Sequence, residues 1–194
     1  MPRHSPNLHI GCGSTILPDH VNLDIVAGPG VDVAFDLDRC RDTPLPFPDD
    51  HFDTMRMAHV LEHLNEPLAV MQELYRVARP GCRLFIEVPH GGHDDAWVDP
   101  THRRAYFPKS FEYFSQPKYY GFDYGYQGDW SLVSCDLFVN ATLFSRHKVE
   151  RLRELIEFNR NIAKVMRANL VAVKPGRPRE RRLMDRVVPS IHPL

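Results

Sequence analysis

Histidines and carboxylates crowd one stretch of this chain: His90, His93, Asp94, Asp95, Asp99 and His102 stand in a single run interrupted by glycine, tryptophan and proline. An imidazole titrates nearer neutrality than other side chains, so it takes and releases protons readily, and a neighbouring carboxylate can fix its orientation. In Asp99-Pro100-Thr101-His102 this chemistry makes His102 a candidate general base for a hydroxyl, with Asp99 as its orienting partner. A second reading is purely local, since Asp and His at turns also hold backbone in place. The same side chains offer mixed nitrogen and oxygen donors to a divalent cation such as Mg²⁺, which would acidify a bound hydroxyl, although their spacing follows no standard metal motif.

A second concentration is His59-Val60-Leu61-Glu62-His63. Its H-x-x-E-H spacing is that of an inverted zinc-peptidase helix, which needs both histidines on one helical face. Here the segment follows directly on a strand-like run and Pro67 limits any helix, which argues against a peptidase. Glu62 and His63 then read as loop residues that pack and hydrogen-bond. A third feature is Leu8-His9-Ile10-Gly11-Cys12-Gly13 followed by Val21-Asn22-Leu23-Asp24. Glycines at a strand end let the backbone turn sharply and approach a ligand, and an acid closing the next strand accepts hydrogen bonds from ribose hydroxyls. The pair points to a nucleoside-bearing cofactor, although a Gly-x-Gly turn by itself also occurs as an ordinary tight turn.

Strand and helix patterns alternate around these residues. Apolar runs predict strands over 7–10, 21–25, 31–36, 52–58 and 83–88, and helical spacing predicts a helix over 66–78 that ends at Pro80-Gly81. That order implies a parallel sheet with crossovers. Too few residues separate Gly13 from Asp24 for a full crossover helix, and Pro18 restricts one further, so the first helix is expected to shrink to a turn. Residues 90–130 form an irregular, aromatic-rich insertion, read as a lid or substrate segment with a short helix over 109–114. A strand over 130–139, a charged amphipathic helix over 146–167 and a strand over 169–173 complete one domain spanning 1–175. The Pro- and Arg-rich tail, 176–194, is expected to be mobile or to pack on a partner.

Further motifs lie between: Val31-Asp32-Val33-Ala34-Phe35-Asp36-Leu37, then Leu45-Pro46-Phe47-Pro48-Asp49-Asp50-His51-Phe52-Asp53, then Ala58-His59-Val60-Leu61-Glu62-His63-Leu64. In this order, over residues 7–115, the chain resembles the class I S-adenosylmethionine-dependent methyltransferases of the type 11 group. The resemblance implies an α/β, Rossmann-like class I methyltransferase sheet with a shortened first crossover and an active-site insertion after strand five. It implies S-adenosylmethionine as cofactor, with Gly11, Cys12 and Gly13 at its methionine portion, Asp24 on the ribose, Asp36 and the Leu37 backbone at the adenine, and His59 beside the sulfonium. His59 is thereby a rival base to His102. Ile16 stands where a dinucleotide fingerprint requires glycine, which argues against NAD. His90, His93, Arg104 and Tyr106 are candidate contacts for the acceptor. Asp99-Pro100-Thr101-His102 with Arg104, Tyr106 and Phe107 is similar to runs in small relatives, among them bacterial sugar and polysaccharide O-methyltransferases. The implied reaction is O-methylation of a saccharide or small-molecule hydroxyl. N-methylation of a small natural product, and a non-catalytic cofactor-binding scaffold, are the alternatives.

Composition narrows the partners. The 24 basic and 25 acidic residues nearly cancel, leaving a net charge of −1, so no global field advertises nucleic acid or a membrane. Arg177, Arg179, Arg181, Arg182 and Arg186 read as a solvated tail. The four cysteines are far apart with no C-x-x-C pair, and residues 1–7 lack a signal-peptide core, so reduced thiols and a cytoplasmic location are expected. The aromatic insertion from Tyr119 to Trp130, together with apolar surface left by the short crossover, suggests a homodimer.

Overall fold

The computed structural model describes residues 5–122 and 124–194; Met1–His4, on which part of the signal-peptide argument rests, lie outside the described residues. One eight-stranded sheet organises them, in the order β3-β2-β1-β4-β5-β7-β6-β8. Its strands are β1 Asn7–Ile10, β2 Val21–Asp24, β3 Val33–Ala34, β4 Phe52–Ala58, β5 Ala78–Pro89, β6 Trp130–Val139, β7 Ala163–Ala172 and β8 Ser190–Pro193. The strands β1 to β5 run parallel, β7 is antiparallel to β5 and β6, and β8 runs parallel to β6. This is the mixed α/β architecture expected, and no helix among the described residues is long and apolar enough to cross a membrane.

Alternation along the strands produces two unlike faces. Leu8, Met55, Leu84 and Leu170 stand in register, as do Ile10, Met57, Ile86 and Ala168, and all are buried. Helix α1 (Pro67–Val77) adds Val70, Met71, Leu74 and Val77 to the same core, a helical spacing that starts with Pro67 in the first turn. Each such apolar side chain contributes roughly 1.5–3 kcal/mol on burial. The opposite face carries Arg56, Phe85, Asn169 and Ser134 in register, none of them buried. Arg56 lies over the Phe85 ring at 4.6 Å and Arg167 over Phe138 at 4.2 Å. Residues 11–20, between β1 and β2, form turns rather than a helix; beside them His9 and Asn22 are buried, and the Asn22 amide holds the Leu17 backbone.

Two expectations change. The helix expected over 146–167 is instead α2 (Ala141–Arg146), capped by the Asn140 side chain, and α3 (Val149–Phe158), after which the chain becomes β7. Asn161 takes a left-handed φ of 61°, and from Ala163 onward the buried positions Met166, Ala168, Leu170 and Ala172 follow the strand period. The tail does not float. Arg177 donates to Asp129 through Nε (2.9 Å) and Nη2 (2.8 Å) and to Asp185 through Nη1 (2.8 Å), with Asp129 fully buried, and β8 then seats Ile191 in the core. Much of the aromatic insertion is core as well: Tyr119, Tyr126 and Trp130 are buried, whereas Tyr120, Phe122 and Tyr124 are exposed.

Candidate active site

A cavity of about 270 Å³ opens at the carboxyl ends of β1, β2 and β4, lined by Gly11, Asp24, Asp36, Leu37, His59 and His63 among others. Gly11 takes a φ of 63°, and a Cβ there would collide with Val60 Cγ2, so only glycine lets the β1 turn sit against the loop after β4. Gly13 and Cys12 do not line this cavity. Gly13 donates its N–H to Asp24 Oδ2 at 2.7 Å, while Cys12 is buried, and that burial raises its thiol pKa. Asp24 Oδ1 accepts the Val26 N–H at 3.0 Å, so the carboxylate is fixed at the rim with lone pairs to spare. Asp36 caps the turn Leu37–Arg41 by accepting the Asp38 N–H. Residues not anticipated are Phe35 and Ile25, apolar walls of the cavity, and Asp38, which holds Asn65 through its backbone and side chain. Phe35 was readable as the apolar residue preceding Asp36; the Asp38 contact joins distant loops and left no local signal.

His59 ends β4 with a left-handed φ of 54°. Its Nδ1 lies 3.3 Å from Glu62 Oε1 and its Nε2 3.3 Å from Glu87 Oε1. Those carboxylates, Glu62 foremost, raise its pKa against the opposing effect of burial. With a carboxylate beside each ring nitrogen, His59 offers no open lone pair to a substrate proton, which weakens its case as base. Residues Leu61–His63 form a single 3₁₀ turn, so His59 and His63 share no helical face and the peptidase geometry is absent.

The insertion is stapled to that turn. Arg103 donates its N–H to the Glu62 carbonyl at 2.7 Å, Tyr106 Oη donates to the Leu61 carbonyl at 3.3 Å, and Arg104 reaches the Asn65 carbonyl. These bonds set the His102 ring edge-on to His63, centroids 4.7 Å apart, next to the cavity. Asp99 does not orient His102: its Oδ2 stands 3.9 Å from Nε2, and the group that meets Nδ1 is the Ala96 carbonyl at 3.2 Å. Asp99 Oδ1 instead accepts from the Thr101 N–H (2.8 Å) and hydroxyl (2.6 Å), which lowers the Asp99 pKa, and Thr101 Oγ1 in turn meets His63 Nδ1 at 2.9 Å.

The other expected contacts are mostly structural. His93 caps the turn Asp94–Ala96, Tyr106 is buried against Phe111, and Arg104 is spent on Asn65. His90 is buried, accepts the Gly92 N–H, and has its pKa pushed down to about 4 by burial; it lines a larger cavity of about 700 Å³ with Phe107, Leu137 and Ile156. Among the described residues the metal-ligand set considered in the 90–102 run does not assemble: Asp94 pairs with Asn161 and Arg160, and Asp95 faces His93 and Lys164. Glu62, His63 and His102 come together instead.

A family model described as a methyltransferase domain matches residues 8–86, from β1 into β5. The 2-phytyl-1,4-naphtoquinone methyltransferase of Synechococcus elongatus is 31% identical over 80 residues, 36% of this chain and 34% of that protein. The match thus spans about a third of that relative's length. Among solved structures, a SAM-dependent methyltransferase from Archaeoglobus fulgidus superposes with a TM-score of 0.58 at 18% identity, covering 85% of each chain. The [4+2]-cyclase SpnF superposes at 0.53 with 12% identity, over 86% of this chain and 74% of that one. The fold is therefore the Rossmann-like class I methyltransferase fold, and the cyclase shows that this fold also hosts other chemistry.

Proposed function

We propose that this chain is an S-adenosylmethionine-dependent methyltransferase that methylates a hydroxyl of a small molecule, with a saccharide as the leading acceptor. The observation that carries this is the convergence of Gly11, Asp24, Asp36 and His59 on one cavity that ends at His63, beside His102. The residues present fit the cofactor. Gly11 lets the β1 turn close against Val60 at the crevice wall, Asp24 offers acceptors to ribose hydroxyls, and Phe35, Asp36 and Leu37 line the same cavity with an apolar surface and a carboxylate suited to an adenine. When bound, the cofactor supplies an electrophilic methyl on a sulfonium. His59, held between Glu62 and Glu87, lines that end of the cavity.

The acceptor's proton is exposed to the His63–His102 pair. The Ala96 carbonyl can only accept, so His102 Nδ1 carries the hydrogen and Nε2 of the neutral ring holds a lone pair. Calorimetry with S-adenosylmethionine and its demethylated product is expected to give one site per chain. Tritiated-methyl transfer into a panel of sugars, lipids and metabolites identifies the acceptor. His102→Ala is expected to lower turnover roughly 10²–10⁴-fold with cofactor affinity unchanged. Absence of cofactor binding, or turnover that survives His102→Ala, refutes the assignment. A quinone acceptor is the second reading, favoured by the Leu132, Leu137, Ile156 and Ile191 lining of the larger cavity and by the name of the Synechococcus relative. A naphthoquinone in the panel separates the two.

A further inference from the structure

Glu62 is the anomaly of this site. Its side chain is 3% exposed, Oε2 meets no donor, and Oε1 meets only the His59 ring, 3.3 Å away. A buried carboxylate with one oxygen left without a donor is costly, and a bound cation relieves that cost. The two neighbouring histidines are prepared as nitrogen ligands. Thr101 Oγ1 gives its proton to Asp99, so it accepts from His63 Nδ1–H and leaves a lone pair on His63 Nε2. The Ala96 carbonyl does the same for His102. Such outer contacts, a hydroxyl–carboxylate relay on one ring and a carbonyl on the other, are what fix tautomer and direction in metal-binding histidines.

We propose that Glu62, His63 and His102 form a binding site for a divalent transition-metal ion of the zinc class, with an open position for the acceptor's hydroxyl oxygen. One ligand atom from each residue lies within 4.8 Å of the other two. Tetrahedral zinc with bonds of about 2.1 Å places its ligands about 3.4 Å apart, so binding draws the three side chains slightly inward. Two imidazoles and one carboxylate favour zinc-like ions over Mg²⁺, which prefers oxygen and retained water. Three protein ligands leave the next position open. Asp99 Oδ2, 3.9 Å from His102 Nε2, stands at its rim. A hydroxyl placed there has its pKa lowered and releases its proton to solvent; with the ion bound, His102 Nε2 serves as a ligand and does not itself take that proton. Cation binding by these side chains is independent of methyl transfer; only the role of the open position rests on the function proposed above.

The test uses the intact chain without cofactor. Equilibrium dialysis with Zn²⁺ is expected to load one ion per chain, and Co²⁺ to produce visible absorption bands of a low-coordinate site. His63→Ala and His102→Ala are each expected to weaken Zn²⁺ at least about 100-fold, Glu62→Gln to do likewise, and His93→Ala to change nothing. Circular dichroism checks that each variant is folded, and because His102 lies in a loop its variant remains informative even if the buried Glu62→Gln does not fold. No stoichiometric Zn²⁺, loading that survives both histidine substitutions, or preference for Mg²⁺ over Zn²⁺ overturns the site. Calorimetry with S-adenosylmethionine on the same samples reports the crevice separately, so loss of the metal site and loss of the methyltransferase assignment are distinguishable.

Discussion

Replacing Asp24 by alanine tests the crevice where fold and ligand share one side chain. In the free protein its oxygens accept the Gly13 N–H at 2.7 Å and the Val26 N–H at 3.0 Å, both at exposed positions. Water can take over those two donors, so the apo protein is expected to lose about 1 kcal/mol or less, a fall of about 2–4 °C in Tm. The lone pairs facing the cavity are different. Ribose hydroxyls donating to a carboxylate form charge-assisted bonds, and their loss is expected to cost about 1.5–3 kcal/mol, or roughly 12- to 150-fold in Kd. Calorimetry with the demethylated cofactor reads that number directly, and a thermal melt of the apo protein reads the first. Asp24→Asn keeps one acceptor oxygen and loses the charge, and so should fall between. A Kd within about threefold of the parent would remove Asp24 from the ribose site; a collapse of Tm with little change in residual affinity would make it a purely structural acid.

Two further outcomes follow from buried groups outside the crevice. Arg177→Met strips the fully buried Asp129 of its guanidinium and is expected to destabilise the chain by about 3–5 kcal/mol, visible as a lower urea midpoint; a change under about 1 kcal/mol would mean that the tail is not anchored there. His90 stays neutral in the folded chain down to about pH 4, whereas unfolding restores its ordinary value of 6.5. Below that value the unfolded state binds a proton that the folded state does not, so stability falls from pH 6.5 to 4 by up to about 3 kcal/mol. His90→Asn keeps an acceptor for Gly92 and should flatten that part of the urea-midpoint profile; identical profiles for variant and parent refute the assignment.

What could be read from the sequence is what short-range sterics determine. The Asp36 cap depends on a residue two positions on, the β1 turn and the Asp24 rim show as glycine and acid at strand ends although their partners are Val60 and Gly13, and the missing first helix follows from counting residues between Gly13 and Asp24. What escaped depends on pairs the sheet order creates. Arg177 finds Asp129 across the fold, which turned an expected solvated tail into the eighth strand. Asn161 interrupts an apolar spacing that otherwise runs on from α3, so strand β7 read as more helix. The DPTH run shows both limits at once. Its local content, Asp99 accepting from Thr101, is an ordinary side-chain turn and sets no base. Its chemical content emerges only because Arg103 and Tyr106 bind the backbone of Leu61 and Glu62, carrying His102 to His63. Proton-handling chemistry at this site therefore belongs to the contact between two loops. Loosening that contact, as Tyr106→Phe would by removing the hydroxyl donated to Leu61, should impair the histidine pair before it disturbs the cofactor crevice.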